Sequence, residues 1–258
     1  MWRVDDNPFD ASATEIGEEQ KQENRWKIIR SAVNLMVEKG VKGATMREIA
    51  REAALGNAAI YSYFPTREAI VYGYYDDQLD LAVNRLKEIA GFNEFSLQEQ
   101  IQAFFETQLE LFLPDREFVD ISFRAIAIAS PRDYQYLKPI RSRFSCVITD
   151  LFEAAVEVDE IPDQMLPELT CNFFWDYYVG LVFYWLRDRS NQFRNTTVLL
   201  DKSLDLAVSF LKAGIVNKVL DIASLLFKHH IINGLDTIED HMETIKKVKR
   251  RFLGGENG

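Results

Sequence analysis

Residues 45–64, TMREIAREAALGNAAIYSYF, carry the spacing of two short helices joined by a turn. Thr45 and Glu48 form an S/T-x-x-E capping box, in which each side chain takes up a free backbone N–H, so a helix is expected to begin at Met46. Ile49, Ala50 and Ala53 give that helix one apolar face, with small Ala50 where a second helix must cross closely. Ala54-Leu55-Gly56 then breaks the pattern. A new apolar face follows at Ala59, Ile60 and Phe64, and Pro65 ends the segment because it has no N–H to donate and clashes with a continuing helix. The second helix is thus expected to run for about two turns. Its outward positions, Asn57, Ala58, Tyr61, Ser62 and Tyr63, are small or hydrogen-bonding rather than the Lys/Glu mix of a solvated face, and such residues suit bases and phosphates.

Upstream, residues 25–40, RWKIIRSAVNLMVEKG, place Ile28, Ile29, Ala32, Leu35 and Met36 on one helical stripe, with Gly40 available as a left-handed stop. Three helices in this order, VKGATMREIAREA at 41–53 and IYSYFPTREAI at 60–70 together resemble the TetR family of bacterial transcriptional regulators, whose pattern is L-Y-x-H/Y-F-x-[ST/N]-K/R-E-x-[LI]. The likeness runs from about Arg25 to Tyr75. It implies an all-α fold: a three-helix helix-turn-helix DNA-binding domain over residues 21–70, then a larger helical ligand-binding and dimerisation domain over residues 71–253. It also implies a ligand-responsive regulator, most often a repressor, that binds a pseudo-palindromic operator as a homodimer. Under that resemblance Arg47 reaches a base edge, an Arg fork being suited to guanine. Thr45, Tyr61, Tyr63 and Arg67 hold phosphates, and Asn57 and Ala58 face bases beside the outward Ser62. Two positions depart from the family: Ala54 stands where a turn glycine is usual, and Ala58 where Gly or Pro is frequent. An L-residue held at positive φ costs about 1 kcal/mol, and Gly56 offers another place for the turn to close.

With 258 residues and 47% hydrophobic content the chain is large enough for a small domain and a larger one. Its formal net charge of −10 is unevenly spread. Residues 21–70 sum to +4, residues 1–20 to −5 and the remainder to −9, so a basic head precedes an acidic body. Residues 1–20 are expected to be a flexible acidic leader, and MWRVDDNPFD lacks the apolar run of a signal peptide. Cys146 and Cys171 are expected to be reduced core residues of a cytoplasmic protein. The run CNFFWDYYVGLVFYWL at 171–186 is too short and too interrupted by Asp176 to span a bilayer, and is expected to be a buried helix.

The rest reads as helix almost throughout: a long lever from Arg67 to near Gly91, then Leu97–Leu113, Asp115–Ala129, Tyr134 to about Val158, Pro162–Arg189 and Thr196 to about Lys212. The resemblance makes the last two a dimerisation pair, with Phe174, Trp185, Leu199 and Leu206 as candidate interface residues. Phe105, Phe123, Arg124, Tyr134, Phe144, Trp175 and Tyr178 are candidates for a pocket taking a small hydrophobic or aromatic effector. Residues 214–253 are expected to add two further helices, with the basic cluster KKVKRR at 246–251 near the end of the second. Neither a cofactor nor a metal is expected, since adjacent His229 and His230 diverge on a helix and His241 stands apart. No nucleophile elbow or phosphate loop points to catalysis. A second reading has the helix-turn-helix contacting a protein partner.

Overall fold

The computed structural model describes residues 8–127, 130, 133–164, 167–215 and 217–218, and these contain no strand. Their helices are α1 (Pro8–Lys39), α2 (Met46–Glu52), α3 (Ile60–Tyr63), α4 (Arg67–Glu88), α5 (Leu97–Phe112), α6 (Arg116–Ala127), α7 (Tyr134–Glu157), α8 (Pro167–Arg187) and α9 (Arg194–Lys212). Most boundaries follow local chemistry. Gly40 leaves α1 at φ 77° and Gly91 follows α4 at φ 72°, both left-handed as glycine permits. Ser96 and Glu99 make a second capping box at the start of α5.

Of the expected leader over residues 1–20, residues 8–20 belong to α1, which starts at Pro8 and continues unbroken to Lys39, and residues 1–7 lie outside the described residues. Proline at the first helical position loses no intrahelical hydrogen bond, and no breaker follows apart from Gly17. The proposed helices beyond Gly214 and the 246–251 cluster lie almost wholly outside the described residues, as do His229, His230 and His241.

Helix α4 ties the N-terminal head, α1–α3, to the body formed by α5–α9. Ala69, Ile70, Val71 and Gly73 bury its first turns. A Cβ on Gly73 would stand 2.6 Å from the Phe64 ring, so this close approach requires glycine. Further along, the Tyr72 hydroxyl donates to the Ala125 carbonyl at 2.9 Å and Tyr75 shares a 2.8 Å hydrogen bond with Ser122, both partners being on α6. Ion pairs brace the same helix from two sides, Arg25 of α1 to Asp77 and Arg143 of α7 to Asp76 and Asp80. Burial raises the Asp77 carboxyl above its ordinary value even with the Arg25 guanidinium beside it.

The body core is aromatic. Phe104, Phe105, Phe144, Trp175 and Tyr178 pack ring to ring with centroids 5.2–6.1 Å apart. Helix α8 has one buried and one exposed face: Phe174, Tyr178 and Trp185 face this core, while Phe173, Asp176, Gly180 and Tyr184 are exposed on its opposite side. Cys171 is buried as expected, but Cys146 is exposed, because it falls on the solvent side of α7. Arg116 fastens the α8–α9 connection by donating to the carbonyls of Trp185, Leu186 and Asp188, with its guanidinium 5.2 Å from the Trp185 and Phe193 ring centres. The Asp188 carboxylate in turn accepts from Ser190 N, Thr196 N and the Thr196 hydroxyl.

Candidate nucleic-acid interface

Thr45 caps α2 as its sequence requires. Its hydroxyl accepts from Glu48 N at 3.3 Å and donates to Glu48 Oε2 at 2.7 Å, while Thr45 N donates to the same carboxylate at 3.1 Å. These bonds, with the 3.0 Å Lys39 ion pair, hold the Glu48 carboxyl down to about 2. Ile49, Ala50 and Ala53 are buried beneath α2. The helix closes in a Schellman motif: Leu55 N donates to Ala50 O at 2.9 Å and Ala54 N to Arg51 O at 3.2 Å. Ala54 takes the left-handed position, with φ 56°, and Gly56 does not relieve it. Alanine therefore carries the strain that glycine would avoid.

The second helix is shorter than the expected two turns. Only Ile60–Tyr63 is α-helical, and Asn57, Ala58 and Ala59 form the turn before it, with Ala59 N donating to Gly56 O at 2.9 Å. Ala59, expected on the buried face, is exposed, whereas Ile60 and Phe64 are buried as expected. Asn57, Ala58, Tyr61 and Ser62 lie on the exposed surface, and the Ser62 hydroxyl donates back to the Ala59 carbonyl at 2.7 Å. Arg47 is exposed on α2 with no side-chain partner among the described residues.

Two of the candidate phosphate ligands are also structural. The Tyr63 hydroxyl accepts from Asn24 Nδ2 at 3.2 Å, which leaves its own hydrogen for another acceptor. Arg67 donates from Nε to Glu68 at 3.0 Å and from a terminal nitrogen to the Lys42 carbonyl at 2.8 Å, so much of its fork is already engaged. Conversely, Arg51 and Lys42 are exposed cations not singled out from the motif. Arg51 had a legible signal, lying four residues after Arg47 and so on the same face of α2. The exposed residues of α2, α3 and the turns around them thus offer positive charge, amide and hydroxyl groups.

The expected effector pocket divides differently. Phe105, Phe123, Phe144, Trp175 and Tyr178 are all buried in the core, but Arg124 and Tyr134 are exposed and outside it. The void beside Phe123, Phe144, Trp175 and Tyr178 measures only about 20 Å³, room for roughly one water. Gln108 reaches this void, accepting from Tyr178 at 3.3 Å while its Nε2 has no partner. Of the candidate interface residues, Phe174 and Trp185 are buried within the monomer, whereas Leu199 and Leu206 are exposed on α9. Phe173, Tyr184 and Phe210 are exposed as well, although core and surface aromatics look alike in composition. No helix of the described residues is long and apolar enough to cross a membrane.

Comparison with known proteins follows the same division. Residues 28–72 match the family described as bacterial regulatory proteins, tetR family, and residues 100–226 match the tetracyclin repressor-like C-terminal domain. The uncharacterized HTH-type transcriptional regulator YuxN of Bacillus subtilis is 29% identical over 86 residues, which cover 32% of this chain and 30% of that protein. Among solved structures, a putative TetR-family regulator from Syntrophomonas wolfei aligns with a TM-score of 0.62 at 17% identity, over 73% of this chain and 96% of that one. The regulator FadR from Bacillus subtilis, solved in complex with stearoyl-CoA, aligns with a TM-score of 0.57 at 17% identity, over 73% and 98% of the two chains. At such identities the two structures share a fold with this chain.

Proposed function

The chain belongs to the TetR family of transcriptional regulators, and on that premise we propose that it acts as a ligand-responsive repressor, binding a pseudo-palindromic operator as a homodimer. The observation that carries the DNA-binding part is the exposed Arg47, without a side-chain partner among the described residues, together with the exposed Asn57, Ala58, Tyr61 and Ser62, on α2, α3 and the turn before α3, with Ile49, Ala50 and Ile60 buried on the helices' other faces. Arg47 reads a base edge, while Tyr61, Tyr63, Arg51 and Lys42 contact phosphates. Arg67 serves chiefly to hold the 41–44 turn against α4, given its bond to the Lys42 carbonyl.

A second copy covers the outer face of α8 and α9, where Phe173, Tyr184, Leu199, Leu206 and Phe210 are exposed around a glycine, Gly180, with open space at its Cβ. Two heads held at a fixed separation then address successive major grooves. The effector acts through α4, which both the head and α6–α7 grip; opening the closed aromatic core moves that lever and alters the separation of the heads. The FadR structure with its acyl-CoA supports a hydrophobic effector, for which this core must first expand.

The test is selection of bound fragments from the source organism's genomic DNA by purified full-length protein, followed by titration at two salt concentrations. An enriched inverted repeat, with affinity falling steeply with salt, is the expected result. Salt-insensitive capture of a protein partner with no enriched DNA would favour the helix-turn-helix as a protein contact.

A further inference from the structure

On the body, away from the head and from the closed core, α5 faces the α8–α9 connection across a cleft of about 530 Å³. That volume falls in the range of small-molecule sites. Leu109 and Leu113 line one wall with Glu106 and Glu110; Trp185 and Phe193 line the other. We propose that this cleft binds a hydrophobic organic cation, with the two carboxylates taking its charge and the aromatic wall its apolar body. The inference stands apart from the operator and effector assignments above.

Charge argues for a cation. Glu106 and Glu110 lie four apart on one face of α5, where like charges repel. Glu106 accepts only the Gln102 amide, at 2.9 Å, and Glu110 has no side-chain partner among the described residues. None of the described residues lining the cleft is Lys or Arg. Arg116 stands behind the same rings and keeps its charge while donating to three carbonyls, so the two carboxylates outnumber it.

The aromatic wall is held in place at some cost. Gln192 and Phe193 both have positive φ, 52° and 55°, and both line the cleft. Consecutive left-handed side-chain-bearing residues are uncommon, and such strain persists where surrounding contacts fix it, here the Arg116 guanidinium over Phe193 and the Asp188 cap on α9. Phe193 is only partly buried and offers its ring to a cation, while Trp185 behind it is buried. On α9 the cleft residues Thr196 and Leu200 are buried and lie, on average, about a quarter of a turn or less from the exposed Leu199, Leu206 and Phe210, so the cleft borders that outer face without including those three side chains.

Tetraphenylphosphonium and tetraphenylborate have nearly the same size and shape and opposite charge, which makes them a direct probe by calorimetric titration of the full-length protein. The cation is expected to bind at least tenfold more tightly than the anion. Glu106→Gln with Glu110→Gln should weaken the cation at least fivefold, and Phe193→Leu about two- to fivefold. Glu153→Gln, on α7 outside the cleft, should leave it unchanged. Equal affinity for the two ions, or an unaltered cation affinity in the double variant with its circular dichroism intact, would overturn the proposal. So would a loss on Phe144→Ala with none in the double variant, which would put the cation in the core instead.

Discussion

In the head, Arg47 and Arg51 are exposed with no side-chain partner among the described residues, whereas the body arginines Arg116 and Arg143 are held by carbonyls and carboxylates. The apolar groups divide in a parallel way. The head buries small and aliphatic residues such as Ala50, Ile49 and Ile60 under a thin surface, while the body interlocks large rings around a void of only about 20 Å³. Small buried residues bring short helices together and leave their polar faces outward, as docking on DNA demands. Interlocked rings instead make a body whose rearrangement is resisted until something fills the space between them. Stability and recognition are thereby assigned to different regions.

The largest test of that division is Phe144→Ala. Its ring touches Phe104, Phe105, Trp175 and Tyr178, so truncation should cost about 3–5 kcal/mol in urea unfolding. Operator affinity of the protein that remains folded should hold, and a matching loss of affinity would break the comparison. Arg47→Ala should do the reverse. It is expected to lose about 1–3 kcal/mol on the selected operator and to relax base preference, with unfolding free energy moved by less than about 0.5 kcal/mol. Equal losses on operator and random DNA would reassign Arg47 to a phosphate.

Smaller effects sharpen the picture within the head. Ala54→Gly should raise stability by about 1 kcal/mol by relieving the left-handed alanine at the Schellman position, a gain readable in thermal unfolding. The smallest effect is acid dependence. The Glu48 carboxyl is lowered from 4.5 to about 2, first by the Thr45 hydroxyl and then by Lys39. A depressed carboxyl contributes stability above its unfolded value and loses it as pH falls, here between 4.5 and about 2. Glu48→Gln should flatten that part of the acid unfolding curve, and superimposable curves would dismiss the capping box as a stabilising contact.

Much of the head was legible because its signals are local. Thr45 with Glu48, Gly40 and the stop before Pro65 each follow from a few neighbouring residues, and the family resemblance rests on the same stretch, whereas only the structure decided that Ala54 rather than Gly56 closes the turn. The length of α3 was less legible, since Asn57–Ala59 satisfies a turn as readily as a helix and only the Gly56–Ala59 hydrogen bond distinguishes them. Helix spans in the body were also readable from period and proline.

By itself, then, the sequence determined an all-helical architecture, a helix-turn-helix near its start and the ends of several helices such as α2, α5 and α7, because these depend on backbone propensity and nearest-neighbour capping. Tertiary structure alone decided which aromatics are core and which are surface. Phe173 and Phe174 are neighbours of identical chemistry, yet one is 54% exposed and the other 1%. The same holds for charge, where Arg67 is tied to a distant turn and Arg47 has no side-chain partner among the described residues, and for the cleft between α5 and Phe193, whose walls are some 80 residues apart along the chain. Such outcomes depend on what a neighbouring helix covers, and that information is non-local.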